Sequence, residues 1–135
     1  MDANLIRKAA EATLTGSLPF PEIVKSLFEN GVEYYFVDYA SKTFTFYGHD
    51  GAVIQAPLTI EHLPGISENF DLQGLKAAIV DSQLHDQKFR DFCRRAAAAG
   101  VQGYFAFLRG QRVTYLGRQG DHHIEWFPGA NPSKT

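Results

Sequence analysis

The densest run of side chains able to do chemistry is Asp121-His122-His123-Ile124-Glu125-Trp126. Read as a strand, its side chains alternate, so Asp121, His123 and Glu125 share one face and His122, Ile124 and Trp126 the other. Imidazole and carboxylate two residues apart could supply two ligands to a metal, or an acid–base pair. A metal site needs three or four ligands and an ordered layer behind them. His49, in a turn of the first half, is the natural extra ligand. The preferred reading of the same run is a polar, solvent-facing strand edge.

Arg118 and Glu125 form a second candidate. Arg118 falls in the turn from Gly117 to Gly120 and Glu125 on the strand that leaves it. A guanidinium fork and a carboxylate joined by so short a connection can meet across the hairpin, with an exposed ion pair the preferred reading. Such a pair is either an exposed ion pair or a polar anchor at the rim of an aromatic pocket. The candidate binding residues are therefore Tyr35, Tyr104, Tyr115, Arg118, Glu125 and Trp126; the metal candidates are His49, Asp121, His123 and Glu125. Cys93 with His85 suggests a nucleophile, but its helical face is shared with Phe89 and Ala97, and a buried structural thiol is the better reading. Lys88, Arg90, Arg94 and Arg95 make a basic helix surface, and Arg109, Arg112 and Arg118 lie about a hairpin. A net charge of −2 nevertheless disfavours a nucleic-acid partner, which calls for a surplus of cations. There is no phosphate-binding Gly-rich loop, HExxH or GxSxG pattern.

The elements that position these residues follow from a repeat. Residues 20–51 and 89–120 align without a gap at an offset of 69, with eight identities: Phe20/Phe89, Gly31/Gly100, Val32/Val101, Tyr35/Tyr104, Phe36/Phe105, Thr45/Thr114, Gly48/Gly117 and Gly51/Gly120. Unrelated segments would share roughly two, so the pattern reads as a duplication. In each unit an amphipathic helix ends at an Asn-Gly or Ala-Gly step, where glycine can adopt the left-handed conformation. A β-branched and aromatic strand follows, then a hairpin partner, a Gly-bounded turn and a third strand. The fold class is α+β: a duplicated helix plus three-stranded antiparallel meander, in units of about 20–58 and 89–127, with helices packed on one face of the sheet.

Outside the units, residues 4–14 predict a short edge helix with a thin stripe of Leu5, Ala9 and Ala12. Residues 57–70, with two prolines and a glycine, have no assignable period and are a candidate functional loop. Asp71 is expected to cap the next helix and Asp86 the one after it. The end from Ala130 is expected to fray.

A chain of 135 residues with 44% hydrophobic content fits one domain, 1–135, with a real core. One cysteine excludes an intrachain disulfide and a multi-cysteine zinc site. The N-terminal run lacks the apolar stretch of a secretory signal, and no segment is long enough to cross a membrane, so a cytoplasmic location is expected.

The motifs Ala99-Gly100-Val101-x-Gly103-Tyr104, Val113-x-Tyr115-x-Gly117-Arg118-x-Gly120-Asp121 and Glu125-x-Phe127-Pro128 resemble the YbcV-like family of unknown function, also labelled phage-envelope-protein-like. Phe89, Cys93, Ala78-Ile79 and Gln83 fit as well. Val101, where the family favours Cys, and Asp121, where it favours Glu, depart from it. The resemblance implies a small α+β domain and brings no catalytic assignment.

Two functions compete. The first is a non-catalytic binding or self-associating module: Tyr34 and Phe36 face one way and Tyr35 and Val37 the other, so helices covering one face leave an aromatic face for a second copy or a ligand. A homodimer is the expected assembly, with a small-molecule or protein ligand possible and no cofactor expected. The alternative is a small enzyme or metal-binding protein using Asp121, His123 and Glu125.

Overall fold

The computed structural model describes residues 1–130, so the expected fraying beyond Ala130 lies outside the described residues. Four helices and six strands follow in the order α1 (Ala3–Thr15), α2 (Phe20–Glu29), β1 (Val32–Asp38), β2 (Thr43–Gly48), β3 (Val53–Pro57), α3 (Leu72–Leu84), α4 (Phe89–Ala98), β4 (Val101–Phe107), β5 (Arg112–Gly117) and β6 (His122–Trp126). All strands join one antiparallel sheet in the order β3-β2-β1-β4-β5-β6. The class is α+β, as expected. The finer arrangement differs. Two helices, not one, precede each set of three strands, and the sets are halves of one six-stranded sheet. The reason is edge chemistry: a separate meander would leave β1 or β4 with unpaired backbone groups, and pairing them removes two of four edges.

Adding 69 to the bounds of α1, α2, β1, β2 and β3 reproduces those of α3, α4, β4, β5 and β6. At the centre, Phe36 pairs with its own counterpart, Phe105. The flanking bonds are reciprocal: Tyr39 N–H donates to the Gln102 carbonyl at 2.9 Å and Leu108 N–H to the Glu33 carbonyl at 3.1 Å. The pairing of β1 with β4 is thus reciprocal about that pair.

Local chemistry explains the helices. Asp2 caps α1 through Asn4 and Leu5 N–H, and Asp71 caps α3 through Gly74 N–H. Asp86 does not cap α4. It adopts a positive φ of 52°, and Lys88 occupies the cap without a side-chain bond. The turn is held instead by Gln87, whose amide donates to the Ala78 carbonyl and to Ser82 at 2.9 Å, and by Arg95, which bonds both Asp81 and Gln87. Helix α1 is a core element rather than a thin edge piece. Its buried stripe is Ile6, Ala9, Ala10 and Leu14, one position off the expected one, and Leu5 is exposed.

The sheet face beneath the helices carries Tyr35, Val37, Tyr39, Phe44, Phe46, Ala56, Tyr104, Ala106, Val113 and Tyr115, all buried. Helices α2 and α4 reach into opposite halves: Phe20 meets Phe127 edge-on at 5.4 Å, and Phe89 lies 6.2 Å from Phe44. Residues 58–70 contain neither helix nor strand. They form a strap over α4, tied by Arg94 to the Glu61 carbonyl, Ser67 N–H to the Ala97 carbonyl and Asp71 N–H to the Ala99 carbonyl. Leu58 is buried, and Ile60, Leu63, Ile66 and Phe70 pack against the core.

Candidate functional site: the open face of the sheet

Alternation sends every second strand residue to the face without helices. Cross-strand pairing there aligns Val53, Tyr47, Tyr34, Phe107, Arg112 and Trp126 in one row, and Gln55, Thr45, Phe36, Phe105, Thr114 and Ile124 in the next. A third row holds Pro57, Thr43, Asp38, Gly103, Leu116 and His122. Tyr34 stacks on Tyr47 at 4.7 Å, Phe36 meets Phe105 at 4.4 Å, and Phe105 stacks on Phe107 at 5.6 Å. The Arg112 guanidinium lies 4.3 Å over the Trp126 ring, a contact worth about 0.5–1 kcal/mol at a surface. These rings are half-buried, while Val53 (56%) and Ile124 (40%) at the margins stay exposed. Water-facing antiparallel faces are ordinarily polar. This one is an aromatic floor with one carboxylate, Asp38, and one guanidinium, Arg112.

Gly103 fits this floor to its neighbours. A β-carbon there would collide with the Val37 carbonyl and lie 2.8 Å from the Phe36 ring. The bare backbone lets Phe36 lie flat across the central strands.

The helix-covered face holds the other candidates. Tyr35, Tyr104 and Tyr115 are at most 7% exposed, so they build the core and offer no ligand surface. Burial pushes all three phenols well above their ordinary range; for Tyr115 the Glu125 carboxylate adds to it. Cys93 is fully enclosed, and burial pushes its thiol up to about 12, partly offset by the Tyr39 hydroxyl. A thiol so protonated is no nucleophile. The Tyr39 hydroxyl is sealed from solvent with no partner at full hydrogen-bond geometry, and the Cys93 thiol beside it is a weak sulfur neighbour.

At the edge of that face His123 Nε2 lies 3.0 Å from Glu125 Oε2, and the imidazole stacks on Tyr115. The counterparts of this pair 69 residues earlier are Ile54 and Ala56, which lie by α1. Arg118 does not meet Glu125. It donates to the Ile66 carbonyl at 3.2 Å, because the strap passes its turn and offers an acceptor, while Glu125 turns inward to His123. Asp121 is exposed and precedes β6. His49 lies in the first half, away from His123, and there bonds the Gly31 carbonyl. Among the described residues no three His, Cys, Asp or Glu side chains come together to hold a metal ion.

Of the six sequence candidates, only Trp126 lies on the open face. Phe105, Phe107 and Arg112 were missed there, whereas Tyr34 and Phe36 were placed together on one strand face but not named as binding residues. The available signal was alternation within each strand, which separates Phe105 and Phe107 from Tyr104. The recurrence of Tyr35 as Tyr104 points instead to the core, where identity at both positions reflects packing. No helix is long and apolar enough to cross a membrane among the described residues.

The chain matches the family described as "Protein of unknown function (DUF1398)" over residues 8–125. No curated protein matches it.

Proposed function

We propose a function for a chain that belongs to the DUF1398 family of proteins of unknown function: a non-catalytic interaction module that self-associates through the open face of its sheet. The observation that carries the reading is the aromatic floor of Tyr34, Tyr47, Phe36, Phe105, Phe107 and Trp126 on a face with no helix. Its formal charges, Asp38 and Arg112, cancel, which suits a neutral apolar partner and not a polyanion. A second copy is the simplest such partner, because a twofold contact pairs one patch with itself. The two halves are in this reading copies of one α-α-β-β-β unit, and the YbcV-like, phage-envelope-protein-like resemblance belongs to the same reading. The test is the mass in solution of the wild type and of Phe105→Asp, whose charge would be trapped in the contact. Wild-type dimer and variant monomer support the proposal; equal masses for the two proteins count against this face.

The enzyme alternative keeps one favourable observation, the His123–Glu125 pair. Purified protein that retains stoichiometric metal, and loses it on His123→Ala, would favour that alternative.

A further inference from the structure

Joining the halves leaves the sheet two edges, β3 and β6, and the repeat lets them be compared position by position. At β3 the Gly48 N–H donates to the Ala52 carbonyl at 2.8 Å and the Leu58 N–H to the Lys42 carbonyl at 2.9 Å. Val53, Gln55 and Pro57 therefore turn their backbone groups away from β2. That edge is blunted: Pro57 has no N–H, and Arg7 of α1 donates from Nε to the Gln55 carbonyl at 3.4 Å. At β6 the Gly117 N–H donates to the Asp121 carbonyl at 2.8 Å and the Phe127 N–H to the Gln111 carbonyl at 2.9 Å. His122, Ile124 and Trp126 thus turn their backbone groups outward. Here the counterpart of Pro57 is Trp126, which keeps its N–H, and that of Arg7 is Lys76 on α3. Among the described residues, nothing bonds the outward groups of His122, Ile124 and Trp126. The second half has kept the edge that the first half closes.

We propose that β6 pairs edge to edge with β6 of a second copy, antiparallel and centred on Ile124, so that the sheet runs from one chain into the next. The side chains favour this occupant because the strand complements itself. About a twofold at Ile124, His122 faces the partner's Trp126 and Ile124 the partner's Ile124, each pair exchanging both backbone bonds. Between them His123 faces the partner's Glu125 at the closer spacing of a pair without backbone bonds. Each His123 already lies 3.0 Å from its own Glu125, so imidazole and carboxylate alternate through all four groups. A register shifted by two residues sets His123 against the partner's His123, or Glu125 against the partner's Glu125, and like groups directly opposite are disfavoured. The chosen register also covers Ile124, 40% exposed in the single chain. A strand of five residues buries little surface, so this contact is weaker than one through the open face and belongs to millimolar concentration. The two surfaces are separate, so either proposal can fail alone.

The experiment takes Phe105→Asp, which disables the open face and leaves β6 untouched, and follows its mass and its amide hydrogen exchange from tens of micromolar to millimolar. The mass is expected to rise from one chain toward two, with exchange slowing at the N–H groups of His122, Ile124 and Trp126. Adding Ile124→Lys, which sets like charges opposite each other, should abolish both changes. Ile124→Pro should abolish them too, since it removes an N–H that β5 does not use and leaves the ladder within the chain intact. A single mass up to millimolar overturns the proposal, as does slowing at Val53 and Gln55 on β3 in place of β6. Slow exchange on β6 that is already present at tens of micromolar, and is lost when the chain is ended after Ala130, also overturns it by assigning the edge to the chain's own end. A wild type that is a single chain at tens of micromolar and pairs through β6 at millimolar supports this inference while refuting the open-face reading.

Discussion

Tyr39 and Cys93 carry the sharpest residue-level consequences. A hydroxyl buried without a partner costs about 1–3 kcal/mol by protein mutational measures. Tyr39→Phe is therefore expected to raise the unfolding free energy by about 1 kcal/mol in urea titration; a loss of stability would show that the hydroxyl has a partner. Cys93 should resist a thiol reagent at pH 8 in the folded protein and react at once in guanidinium. Its pKa is raised on folding from 9.0 to about 12, so the unfolded chain gives up its proton first. The stability it contributes is whole below pH 9 and is lost as pH rises toward 12. Tyr35, Tyr39, Tyr104 and Tyr115 shift in the same direction for the same reason. Stability should then fall steeply on the alkaline side, with the absorbance of these four tyrosinates rising together with unfolding. Absorbance of more than two tyrosinates per chain, the number accounted for by Tyr34 and Tyr47 on the open face, while the far-ultraviolet circular dichroism stays native would contradict this burial.

At the scale of elements, the strap and the glycines that receive it set the geometry. Gly100 has φ 91°, and a β-carbon there would collide with the Asn69 carbonyl, whereas Gly120, with φ 89°, faces open space. Gly120→Ala should cost about 1 kcal/mol from conformation alone. Gly100→Ala should cost clearly more, because the strap must also move; equal losses would mean that the strap is loosely held. Strands, turns and the second helix of each half were legible in the sequence because Gly31, Gly51, Gly100 and Gly120 punctuate unbroken periodic runs. The first helix was read one position off, since its alanines suit several faces and Leu5 was taken for the anchor that Ile6 is. The strap could not be read at all: apolar residues every third position match neither a helix nor a strand. Arg118 was misassigned for the same reason, its acceptor being the Ile66 carbonyl of that strap.

For the molecule as a whole, the sequence offset relates β1 to β4 without saying that they touch. Only their register, with Phe36 on Phe105, makes one sheet of two halves. Because α2 packs on β1 and α4 on β4, the two central strands, and each sends one ring to the opposite half, the two halves share one core. Fragments 1–70 and 71–135 are expected to be unfolded separately by circular dichroism and to regain signal on mixing; a fragment that folds alone would show that the crossing is dispensable. The same register lays the aromatic rows flat across four strands and leaves them facing outward, which is the basis of the proposed self-association. The most direct test is light scattering at tens of micromolar. The wild type should have twice the chain mass of 15.1 kDa, and Phe105→Asp the single mass with an unchanged circular dichroism spectrum. A wild type of single mass at that concentration would contradict self-association through this face.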